Sequence, residues 1–79
     1  MTKQELHNRF DFLGDVLRYS RDRGYLNTGQ RTCLHQERSA IMQAREMMIS
    51  QELEFIELSY TIPEYIEHIV KRVQRDFHL

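Results

Sequence analysis

Apolar residues between positions 32 and 58 fall on two helical rows. Leu34, Ile41, Met48 and Phe55 recur at intervals of seven with Ala44 beside them, and Met42, Ile49, Leu53 and Ile56 follow a quarter-turn away, at roughly 100° per residue. Arg38, Arg45 and Glu52 run between the rows, and Gln36, Ser39, Gln43, Glu46, Ser50, Glu54 and Glu57 take the opposite side. The pattern predicts a helix of about 26 residues, about 39 Å long. With two apolar seams it should touch two neighbours and sit in the middle of a bundle. Upstream, Leu6, Phe10, Leu13 and Leu17 mark one packed face, widened by Phe12, Val16 and Tyr19. Downstream, Ile62, Ile66, Ile69, Val73 and Phe77 mark another, flanked by Tyr65 and Val70.

The punctuation between these segments sets the topology. Thr2 and Glu5 have the spacing of a capping box at a helix start, and Gly24 suits the left-handed position that ends that helix. Gly14 lies inside it, at a cost of about 1 kcal/mol relative to Ala, which a close backbone approach would justify. Asn27, Thr28 and Gly29 form a turn, with Thr28 or Thr32 as the next cap. Thr61, Pro63 and Glu64 predict a second capping box, with Pro in the first turn of a helix of about 16 residues. Between these, Ile56, Leu58, Tyr60 and Ile62 alternate with Glu57, Ser59 and Thr61, so a short strand near 55–61 is the competing reading, and it would need a partner. The expected fold is all-α over a single domain, residues 1–79: an up-down-up three-helix bundle, or a helical hairpin plus a C-terminal helix. Leu13, Leu17, Ile41, Met48, Ile66, Ile69 and Val73 are its expected core.

A third helix of about 24 Å is too short to cover the second. Met42, Met47, Met48, Ile49 and Phe55, with Glu52 and Glu54, are therefore expected to leave an apolar and acidic surface for association. Chain length points the same way. Seventy-nine residues bury a modest core, and Cys33, the lone cysteine, rules out an internal disulfide and fits a reducing compartment. A partner chain is the remaining supplement, so a homodimer is expected. The sequence has no apolar run of membrane-spanning length and no signal-peptide pattern, which predicts a soluble, cytoplasmic protein.

Charge is unevenly distributed, although the net is only −1. Residues 18–38 hold five Arg against Asp22 and Glu37, residues 46–67 hold six Glu and no Lys or Arg, and the tail adds Lys71, Arg72 and Arg75 against Asp76. Alternating helix directions would gather the bases at one pole and the acids at the other. Macrodipole matching explains the first and third helices, but the second carries Arg31 and Arg38 at its start and Glu52, Glu54 and Glu57 at its end, against its own dipole. Arg18, Arg21, Arg23, Tyr25, Arg31 and Arg38 are thus candidate ligands for an anion, a nucleotide or nucleic-acid phosphates. The net charge disfavours general DNA coating.

Catalytic and metal signatures are weak. Cys33 with His35, and Glu64 with His68, do not make up the paired ligand set of a zinc site, and Cys33 has no activating neighbour in the sequence. Ser50, Gln51, Glu52, Leu53 and Glu54, with Ile56 and Tyr60 beyond, resemble the Ser-Gln-Glu-Leu-Asp signature of the small helical-hairpin phosphatases that act on sporulation response regulators. The resemblance implies acidic and amide side chains on a helix that orient water towards a partner's aspartyl phosphate. Glu54 stands where that signature has Asp. The residues as a whole predict a small non-enzymatic regulator, adaptor or inhibitor that binds protein, without metal or cofactor. Nucleic-acid or nucleotide binding at the basic pole is the alternative.

Overall fold

A computed structural model describes all residues, 1–79, as three helices: α1 (Lys3–Tyr19), α2 (Thr28–Ser50) and α3 (Glu64–Phe77). The fold is all-α. The helices run up, down and up within 40 × 24 × 19 Å. Arg38 of α2 meets Phe10 of α1, and Tyr19 at the end of α1 meets Phe77 at the end of α3.

α1 starts on the predicted capping box. Thr2 Oγ1 accepts from the Glu5 N–H at 3.2 Å, and the Glu5 carboxylate accepts from the Thr2 N–H at 2.9 Å. That backbone bond holds the Glu5 carboxyl below its ordinary range. The helix stops at Tyr19, ahead of Gly24. Ser20 caps it, and the turn beyond contains two left-handed residues, Asp22 at φ 60° and Gly24 at φ 75°.

α2 differs from expectation at both ends. Its cap is Asn27, whose side chain accepts from Gln30 N–H at 2.8 Å while Gln30 accepts from Asn27 N–H, so neither Thr28 nor Thr32 caps it. At the far end it stops at Ser50, well short of residue 58. Glu52 turns left-handed (φ 54°), and the Leu53 N–H reaches back to Met48 O at 2.9 Å. This is a Schellman closure with Glu in the position usually held by Gly.

Residues 51–63 form neither helix nor strand. Their alternation nevertheless sorts sides correctly: Ile56, Leu58, Tyr60 and Ile62 pack inward, and Glu57, Ser59 and Thr61 face out. Between residues 54 and 62 the only backbone–backbone bonds are those between Ile56 and Met1, in both directions. The predicted second capping box is absent. Pro63 itself is the N-cap of α3 without a side-chain cap bond, and its carbonyl accepts from Ile66 and Glu67 N–H at 3.0 Å each.

The central helix is α1, not α2. α1 packs on both neighbours, while α2 and α3 barely approach each other. The cause is the second apolar row: Met42 and Ile49 face solvent, and Leu53 and Ile56 fall beyond the helix. Leu6, Leu13, Val16 and Leu17 instead present one broad buried face, against Leu34, Ile41, Ala44 and Met48 of α2 and Ile66, Val70 and Val73 of α3. Val70 takes the fully buried position expected of Ile69, which is only partly covered.

Candidate binding pole

The short turn after α1 and the parallel course of α1 and α3 bring three aromatic rings together. Phe77 lies 5.8 Å from Tyr19 and 5.9 Å from Tyr25, centre to centre. An arginine covers each ring: Arg18 at 5.0 Å over Tyr19, Arg23 at 5.6 Å over Phe77 and Arg72 at 5.4 Å over Tyr25. The Tyr25 hydroxyl donates to Asp76 at 2.6 Å, and Arg75 Nε donates to the other Asp76 oxygen at 3.3 Å. The Tyr25 bond, reinforced by Arg75, holds the Asp76 carboxyl below its usual range, and the same bond raises the Tyr25 phenol. Arg18 is also tied to Asp15 at 2.9 Å.

The six cationic and aromatic candidates do not share one role. Arg18, Arg23 and Tyr25 belong to the ring cluster, and Arg21 stands beside it in solvent, 4.0 Å from Asp22. Arg31 is turned inward, donating to Leu17 O at 3.0 Å and Ser20 Oγ at 3.3 Å, where it satisfies the end of α1. Arg38 lies off the pole, in mid-bundle. Its guanidinium stacks 3.9 Å from the Phe10 ring and donates to Phe10 O at 3.2 Å. Gly14 makes room for it, so the close approach at that glycine comes from a side chain rather than from backbone.

Lys71, Arg72 and Arg75 complete the pole. Seven of the eleven basic residues lie there against three of the twelve acids, Asp15, Asp22 and Asp76. The far end is the reverse: Glu46, Glu52, Glu54 and Glu57 are all exposed.

The expected apolar surface on α2 is divided. Met48 is buried in the core. Met42 and Met47 are five residues apart, so they point about 140° from each other, to opposite flanks of the helix. Ile49 shares the Met42 flank and is 67% exposed, and Phe55, in the segment beyond, is 62% exposed.

Away from the pole, a buried ion network is missing from the sequence expectations. Glu37 is only 1% exposed and is held by Arg9 Nε at 2.6 Å and by the Ile62 N–H at 2.9 Å. The other edge of the Arg9 guanidinium grips Glu67 at 2.7 and 3.2 Å. Burial alone would lower the Arg9 pKa, but the bonds to Glu67 and Glu37 outweigh it and raise it. This network joins all three helices and the segment before α3.

No known protein family, curated protein or solved structure matches this chain.

The phosphatase resemblance implies a helix running through its signature. In this chain α2 ends on Ser50, Gln51 is its cap and Glu52 is left-handed, so Gln51, Glu52 and Glu54 are not presented from one helical face. Cys33 is free and half-buried near Tyr60, whose phenol it pushes, together with burial, up to about 12. No three His, Cys, Asp or Glu side chains converge as metal ligands, and no helix is long and apolar enough to cross a membrane.

Proposed function

We propose that this protein is a small non-enzymatic regulator, an adaptor or inhibitor, that sets its arginine–aromatic pole on an acidic surface of another protein. The ring cluster carries the reading: three aromatic rings in contact, each under a guanidinium, within a strongly basic end. Arg and Tyr are enriched among residues that dominate protein interfaces. Side chains already held by rings and by Asp15 or Asp76 lose less freedom on binding. The opposite charge at the far end orients the molecule during encounter with an acidic target.

A second reading has its own support. Tyr19 is 43% exposed among arginines, the combination that single-stranded nucleic acids use for stacking and phosphate contact. The coverage of each ring by an arginine favours the protein partner, because a base would have to displace the guanidinium to stack.

Photo-crosslinking from position 21 in the native host, read by mass spectrometry, tests the proposal. The expected result is a crosslink to one acidic protein, lost when Arg18, Arg23 and Arg72 are changed to Ala. Crosslinks to RNA or DNA, with salt-sensitive binding of a labelled oligonucleotide, would transfer the function to the second reading.

A further inference from the structure

We propose that the chain pairs with a second copy of itself side by side and antiparallel, the basic pole of each lying against the acidic 52–57 segment of the other. The occupant is argued from charge. The strongest complement to the pole on the molecule is its own far end, where residues 46–67 carry six Glu and no base, and only Glu67 among them is engaged by an arginine. The acidic segment also exposes Phe55, and the pole exposes Tyr19, so each end offers apolar as well as charged surface.

Geometry selects the arrangement. α2 begins at the pole with Arg31 beside Ser20 and ends at the acidic segment, so the two charged ends are separated by most of the long axis. Two copies related by a two-fold axis perpendicular to that long axis make two identical pole-to-segment contacts and close on themselves. A face of 40 by 24 Å is large enough to supply the roughly 800 Å² per partner of a standard interface. Pairing of this kind needs no external protein, and it would make an external acidic partner compete for the pole.

The test measures mass rather than partner capture, so its failure is separate from failure of the proposed function. Light scattering in low salt should give twice 9.6 kDa for the native chain, falling towards 9.6 kDa as salt screens the contacts. A pole-reversed variant (Arg18→Glu, Arg21→Glu, Arg23→Glu) and an end-reversed variant (Glu52→Lys, Glu54→Lys, Glu57→Lys) should each be monomeric, because every one of these residues is exposed and its charge would now repel. Mixing the two should restore a dimer, since each acidic end then faces a basic one in both contacts. Neutral Gln variants at the same positions, with helicity checked by circular dichroism, should dimerise roughly a hundredfold more weakly. A native chain that stays monomeric in low salt, a mass that keeps growing past the dimer, or a mixture that fails to pair would overturn the proposal.

Discussion

Arg9 Nε lies 2.6 Å from Glu37 Oε2, and this one contact links the middle of α1 to the middle of α2 under the segment that leads into α3. Glu37 is 1% exposed and Arg9 22%, so the pair is shielded mainly on the acidic side. Glu37 also satisfies the buried Ile62 N–H. Replacing it with Leu leaves the Ile62 N–H unpaired and Arg9 with Glu67 as its one carboxylate partner, and is expected to cost about 2–4 kcal/mol. A domain of this size has on the order of 4–12 kcal/mol in total. Glu37→Gln keeps an acceptor for Ile62 and should cost less than Glu37→Leu. Urea unfolding followed by circular dichroism ranks the two, and equal midpoints would remove Ile62 from the account.

The pair also shows what a sequence reading can reach. Leu6, Arg9, Leu13 and Val16 are spaced three, four and three, and Leu34, Glu37, Ile41, Ala44 and Met48 are spaced three, four, three and four. Two opposite charges therefore occupy seam positions, which is the signal of a buried ion pair between neighbouring helices. Treating Glu37 as part of the surface charge balance hides it. The two-ended charge layout was legible because helix direction alone decides it. The end of α2 was not, because Glu52 adopts a left-handed turn with no Gly or Pro to mark it, while Leu53 and Ile56 continue the apolar period past the true stop. The central place of α1 depends on which rows find partners, a property of the whole assembly. The alternation at 56–62 reports sidedness correctly, but a strand also needs a neighbour, and the backbone pairs only with Met1.

Glu52 offers a direct check on that helix end. A non-glycine residue in the left-handed region costs roughly 1 kcal/mol, and a negative charge at a helix C-terminus adds to it. Glu52→Gly should therefore stabilise the protein by about 0.5–1 kcal/mol, the gain being reduced by the greater freedom of glycine in the unfolded chain. Thermal unfolding gives the sign. A lower melting temperature would mean that the Glu52 side chain makes a contact worth more than the strain.

Gly14 and Arg38 should be coupled. A Cβ on residue 14 would sit 2.9 Å from Arg38 Nη2 and 3.2 Å from its Cζ, so the guanidinium must move off the Phe10 ring. The helix-propensity gain of Ala over Gly, about 1 kcal/mol, is then offset, and Gly14→Ala alone should be close to neutral. In an Arg38→Ala background the offset is gone and the same change should stabilise by about 1 kcal/mol. A double-mutant cycle on unfolding free energy reads the difference, and additive effects would separate the two residues.

The Tyr25–Asp76 bond makes the pole sensitive to pH at both extremes. The Tyr25 hydroxyl and Arg75 hold the Asp76 pKa down, so its contribution is present above the ordinary aspartate range and is lost as pH falls through the depressed value. Asp76 raises the Tyr25 pKa, so that contribution is complete below the ordinary phenol range and is lost as pH rises through the raised value. Between those limits the contact is intact and the rings stay clustered. Ultraviolet titration of tyrosinate should show late ionisation of Tyr25 here and of Tyr60, at about 12 beside Cys33. Asp76→Ala should return Tyr25 alone towards its ordinary range, because both the acceptor of its hydroxyl and the charge that opposes its ionisation are then gone. If the curve is unchanged in that variant, Asp76 does not hold Tyr25 in solution, and the clustering of Arg72 and Phe77 around that ring loses its anchor.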